Sequence, residues 1–200
     1  MKRCVFVLLV VFSTIVGRLM EAASLPAVPQ IINPWFEDGL ASWQFNIIVA
    51  PSEARVMDRD AAQGKRCLAI LNGAGARGFV TSNPVEVKPS TGYQLSCRVR
   101  TENAPAEGVH ARVIWYTREG PGMACASRHY DETVKVGGTV GWTNLSFATG
   151  SVVSPPDAAI ARVRLETNYR KGEIAADTPG PFTVWFDDVA LTPTGTGGGK

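Results

Sequence analysis

Histidine is almost missing from this chain: 200 residues contain two, His110 and His129. Cysteine is sparse as well, with four residues and no close pair among them. A metal centre built from Cys and His at short fixed spacings is therefore excluded. Cys4 lies in an apolar leader, too early for a lipoprotein cleavage site. The remaining Cys67, Cys97 and Cys125 are an odd, irregularly spaced set, unlike the even framework of a disulfide scaffold. Cys97 is expected to be a core thiol, and a single bridge among the three is left open. Excess charge is lacking too. Twenty Lys and Arg oppose eighteen Asp and Glu, and a net charge of +2 argues against an electrostatic nucleic-acid binder. No Gly-x-Ser-x-Gly nucleophile turn occurs, no internal repeat recurs at a useful period, and helical periodicity is absent after the leader.

The longest apolar run, Val5 to Val16, is interrupted by Ser13 and Thr14 and is short for a membrane span. With Lys2 and Arg3 before it and Ala22-Ala23-Ser24 after it, it reads as a secretory signal over residues 1–24. Retention as an anchor is the alternative, because Arg18 and Glu21 sit close to the cut. The expected location is outside the cell, or the periplasm if the source is a Gram-negative bacterium. About 175 residues then remain, enough for one core. Residues 28–193 form the expected domain, and 194–200 a glycine-rich tail of linker composition.

Glycine and proline, at 20 and 13 residues, suit a chain of many turns. Short β-branched and aromatic runs recur between them. Strands are expected at 45–49, 55–57, 67–71, 78–81, 85–87, 93–101, 109–117, 132–136, 142–148, 160–167 and 182–191. Residues 102–108 are expected as a loop and 118–131 as an irregular segment. This pattern predicts an all-β fold, an antiparallel β-sandwich of jelly-roll type. Alternation assigns the faces. Leu95, Cys97 and Val99 point one way, and Arg98 and Arg100 the other. Val113 and Trp115 are likewise opposed to His110, Arg112 and Tyr116, and Val163 and Leu165 to Arg162, Arg164 and Glu166. Trp43, Trp115 and Trp185 are expected in the core, and Trp35 fits either environment. The outward arginines fit either a solvated face with cross-strand pairs or a groove that grips carboxylates in bidentate fashion.

Five motifs follow one order: Asn33-Pro-x-Phe-Glu-x-Gly-x-x-x-Trp43, Ala62-x-Gly64-x-x-x-Leu68, Gly92-Tyr-x-Leu-Ser96, Trp142 opening a late strand, and Trp185-Phe-Asp-Asp-Val-x-Leu191. Together they resemble carbohydrate-binding modules of the family 4, 9 and 22 type, which are galactose-binding-domain-like jelly rolls. The resemblance spans Asn33 to Leu191, and Trp35 departs from it, since the family usually has a small residue there. It implies a secreted, non-catalytic domain that binds a polysaccharide or oligosaccharide, not nucleic acid or, once the leader is cut, membrane. An enzyme domain or partner protein is implied beside it. It also implies a structural calcium ion joining the chain's ends, held by Glu37 and Asp187 with carbonyls near Asn33 and Lys65. Such modules hold sugars by aromatic stacking and polar side chains. Tyr116, Trp142 and Tyr169 are the aromatic candidates, and Arg98, Arg112, Arg164 and Glu166 the polar ones, with Trp142 also readable as a packing residue.

Two other functions stay open. A small jelly-roll polysaccharide lyase is physically possible, because His110, Arg112 and Tyr116 share an outward face. A glycosidase, in contrast, needs two facing carboxylates, and only Glu166 stands out. An adhesive or structural cell-surface role is the other alternative, since fold does not fix ligand.

Overall fold

The computed structural model describes residues 31–118, 124–167 and 180–194, so the leader, Tyr169 and the chain beyond Thr194 lie outside the described residues. Eleven strands follow one another: β1 (Trp43–Val49), β2 (Ser52–Met57), β3 (Cys67–Asn72), β4 (Arg77–Ser82), β5 (Val85–Glu86), β6 (Gly92–Tyr116), β7 (Cys125–Glu132), β8 (Val136–Ser146), β9 (Val152–Val153), β10 (Ile160–Glu166) and β11 (Phe182–Pro193). Among the described residues there is no helix, and all pairings are antiparallel.

The long strand β6 organises the sandwich. Its first half, Gly92 to Ala104, pairs with β11 on one side and with β8 and β9 on the other; β3 and β2 continue beyond β11. This is sheet B. Its second half, Val109 to Tyr116, lies between β10 and β7, with β4 and β1 continuing beyond β10 and β5 at the end of β10. This is sheet A. The residues expected as a loop, 102–108, instead carry the strand from one sheet to the other. Asn103 and Glu107 take positive φ (56° and 51°), and the register against β8 slips on either side of Ala104. Such bulges bend a strand without ending it.

The core lies between the sheets and is filled by the odd-numbered residues of both halves of β6: Tyr93, Leu95, Cys97 and Val99, then Val109, Ala111, Val113 and Trp115. Leu68 and Ile70 of β3, Val163 and Leu165 of β10 and Val184 and Phe186 of β11 meet them. Burying each large apolar side chain stabilises the fold by about 2 kcal/mol. Trp115 is fully buried and donates its indole N–H to Asp131 at 2.7 Å, so its one polar atom is satisfied.

Three expectations are corrected. Residues 125–131, expected in an irregular segment, belong to β7, which ends at Glu132, while 133–135 of the expected strand 132–136 is not strand. Residues 137–141, expected to separate two strands, lie within β8, where Gly138 takes φ 72° beside a register shift against β6. Trp185 is not in the core: it stands half-buried on the outer side of sheet B beneath the Arg100 guanidinium, 4.7 Å from its ring centroid. The inward positions of β11 before its bulge are Phe182, Val184 and Phe186, so Trp185 has the opposite parity. Cys97 is buried as expected, and Cys67, Cys97 and Cys125 are all free thiols.

Candidate functional site

The outer side of sheet A is built from even-numbered residues of β6 and β10 and their neighbours. Register sets Arg112 between Arg164 and Glu132, His110 beside Glu166, Ile114 between Arg162 and Tyr130, and Tyr116 beside Ile160. Thr81 and Phe79 of β4 continue the rows beyond Arg164 and Glu166. Two arginines directly opposite each other repel, and carboxylates on both sides offset this. Glu166 lies 3.5 Å from Arg112 and 3.4 Å from Arg164. Glu132 lies 3.2 Å from Arg112 and 3.3 Å from Lys135. The guanidinium of Arg112 also packs on the Tyr130 ring at 4.5 Å, and that of Arg164 on Phe79 at 4.1 Å.

Although this is an outer face, water barely reaches its centre: His110 is 0%, Glu166 5% and Arg112 7% exposed. His110 Nε2 lies 3.5 Å from Glu166 and 3.7 Å from Glu132. Burial nevertheless pushes its pKa down to about 4, assisted by the charge of Arg112 and opposed by that of Glu132. The imidazole is therefore neutral at pH 7. Around this buried centre stand Tyr130, at 39% exposure, and the half-buried Tyr116, Phe79, Arg162 and Arg164. Paired charges flanked by partly open rings form a surface able to hydrogen-bond hydroxyl groups and stack on apolar ring faces.

Four of the six expected ligand residues meet here: Tyr116, Arg112, Arg164 and Glu166. Arg98 and Trp142 do not. Arg98 sits in the first half of β6, between Asp187 and Asn144 on sheet B. Trp142 is on β8, its indole N–H bonded to the Asp60 carbonyl at 2.9 Å. Both are on the opposite side of the molecule from Arg112. Sequence reasoning missed Glu132, Tyr130 and Phe79. The available signal was the alternation of Tyr130 and Glu132, which put them on one face once 125–132 is read as a strand.

The expected calcium ligands lie where the first bend meets the last strand. Asn33 and Phe36 take positive φ (53° and 56°), which turns the chain sharply. The bend touches β11 directly: Val189 N–H donates to the Pro34 carbonyl at 3.1 Å, and the Trp35 indole donates to Asp188 at 3.1 Å. Trp35 itself is exposed. Glu37 and Asp187 both reach the turn before β3, at different places. Glu37 Oε1 accepts from the N–H groups of Lys65 (2.6 Å) and Arg66 (3.1 Å). Asp187 Oδ2 accepts from Ala62 and Gln63, both at 2.9 Å, and Oδ1 from Asp188 at 2.8 Å. The Lys65 bond, with further help from Arg66, holds the Glu37 carboxyl below its ordinary range, whereas burial pushes Asp187 up.

A calcium ion needs six to eight oxygens turned toward one point. Here three carboxylate oxygens face five N–H donors, and the Asn33 carbonyl accepts from the Trp43 indole at 3.0 Å and from Phe36 N–H at 3.3 Å. Among the described residues no group of three or more His, Cys, Asp or Glu is placed to hold a metal. The donor set as arranged does not fit calcium.

No family model matches the sequence, and no curated protein matches it. Solved structures are similar in fold. The CBM22-2 xylan-binding domain from Paenibacillus barcinonensis Xyn10C gives a TM-score of 0.53 at 15% identity, covering 80% of this chain and 98% of that one. TmCBM61, solved with β-1,4-galactotriose, gives 0.51 at 17% identity, covering 83% and 99%. The enzymatically active domain of bacteriophage CBA120 tailspike protein 4 gives 0.61 at 9% identity, covering 83% of this chain but only 21% of that one. At these identities the likeness is one of fold: this chain has the antiparallel β-sandwich of carbohydrate-binding modules.

Proposed function

We propose that this chain is a secreted, non-catalytic carbohydrate-binding domain that holds a polysaccharide against the outer side of sheet A. One observation carries the reading: Tyr130 stands partly open over a network in which buried Arg112 and Glu166 are joined to partly exposed Arg164 and Glu132, with half-buried Tyr116 farther along β6 on the same face. Arg112 supports one side of the Tyr130 ring, and the ring keeps 39% exposure. A supported ring with open surface suits stacking against a sugar, and the fixed charges around it suit bonding to hydroxyls. The carbohydrate-binding modules that share the fold support this class of ligand.

The same network favours a neutral polymer over a uronate. Arg112 and Arg164 already face Glu132 and Glu166, so a substrate carboxylate would have to displace a buried partner. Affinity electrophoresis on β-1,4-galactan, xylan and a uronate-rich polymer tests both points. Retardation by a neutral polymer, with no stronger effect from the uronate, is the expected result. Migration unaffected by all of them would refute carbohydrate binding, and retardation by the uronate alone would refute the neutral preference.

A further inference from the structure

We infer that the junction of the chain's two ends is a metal-free clasp, in which Arg66, two tryptophan indoles and a fan of backbone N–H groups take the place of a bound cation. This goes beyond the proposed function and does not depend on it.

Glu37 Oε1, both Asp187 carboxylate oxygens and the Asn33 and Glu37 carbonyls already accept from donors. Arg66 Nη1 donates to the Glu37 carbonyl at 2.8 Å, and its Nε to Asp58 at 2.6 Å. A fixed positive charge therefore sits on the first bend and ties it to the start of the turn before β3. Glu37 returns the link through its side chain, receiving Lys65 and Arg66 N–H. Gly64 makes this approach possible. It takes φ 69°, and a Cβ there would collide with Glu37 Oε1.

The tryptophans complete the clasp. Trp43 donates to the Asn33 carbonyl and packs on Phe36 with ring centroids 5.1 Å apart. Trp35 donates across the junction to Asp188, 153 residues away in sequence. A glycine at position 35 would have neither the indole donor nor its reach. Asp187, fully buried, receives three N–H bonds, as a buried carboxylate requires without a counter-ion. Amide and indole N–H groups turned toward these oxygens present positive hydrogen to any arriving cation, and calcium would first have to rotate several of them away.

The test uses the full chain and two readouts. The melting temperature is measured after EDTA treatment and again in millimolar calcium, and calcium is titrated calorimetrically into the EDTA-treated protein. The clasp predicts equal melting temperatures within about 1 °C and no binding heat, whereas Arg66→Ala lowers the melting temperature by about 3 °C or more in both solutions. A lower melting point in EDTA, a rise in calcium, or saturable calcium heat would overturn the proposal. An Arg66→Ala chain as stable as the original would overturn it too. Should that variant fail to fold, the chelator and calorimetry results on the original chain still decide.

Discussion

His110 concentrates the chemistry of the sheet A face in one side chain. Its folded pKa of about 4 lies below the ordinary 6.5 because burial disfavours the imidazolium. The unfolded chain therefore takes up this proton first as pH falls. Stability attributable to His110 is complete above pH 6.5 and is lost progressively between 6.5 and 4, at about 1.4 kcal/mol per pH unit. Urea denaturation of the original chain and of His110→Gln between pH 6.5 and 5 checks this. The variant is expected to show a shallower fall; equal slopes would mean that His110 is not held neutral by the fold. The thiols offer a second residue-scale outcome. Burial pushes Cys67 up to about 11 and Cys97 higher still, while Cys125 is exposed. Of the three cysteines among the described residues, a maleimide should label Cys125 in the native chain near neutral pH, and Cys67 and Cys97 only after denaturation.

At the scale of elements, β6 and β8 carry the main construction. Gly137 passes so close to the Pro105 carbonyl and the Ala106 backbone that a Cβ would strike both. Since backbone rather than a flexible side chain blocks it, Gly137→Ala should destabilise the chain by about 1–3 kcal/mol. A denaturation midpoint unchanged from the original would show that β8 can shift at no cost. The same strands explain what could be read beforehand. Alternation in 93–101 and 109–117 told inward from outward residues correctly, because Tyr93, Leu95, Cys97, Val99, Val109, Ala111, Val113 and Trp115 all lie in the core. It could not tell which outside. Arg98 and Arg112 share parity and strand, yet β6 changes sheets between them, so they emerge on opposite sides of the molecule. Trp142 also faces outward, but on β8 it belongs to sheet B and so lies away from Tyr116. Glu132 was missed because the stretch before it, rich in small and polar residues, has no apolar alternation to mark β7.

For the whole molecule, the fold was legible because turn residues separate most of the strands and the two terminal motifs point to their own meeting place. The chemistry of that meeting was not legible. Acidic residues beside a bend suit calcium equally well on paper, and only the direction of the N–H groups around Glu37 and Asp187 distinguishes a cation site from a hydrogen-bonded clasp. The topology separates two regions: the bend and β11 close the sandwich at one place, and the outer side of sheet A, where binding is proposed, lies away from that closure. The most direct measurement is calorimetric titration of a polymer that retards the chain against three proteins: the original, Tyr130→Ala on sheet A and Trp142→Ala on sheet B. Loss of a stacked ring should weaken binding about tenfold in Tyr130→Ala, with Trp142→Ala matching the original. Undiminished affinity in Tyr130→Ala together with lost affinity in Trp142→Ala would place the ligand on sheet B and contradict the account.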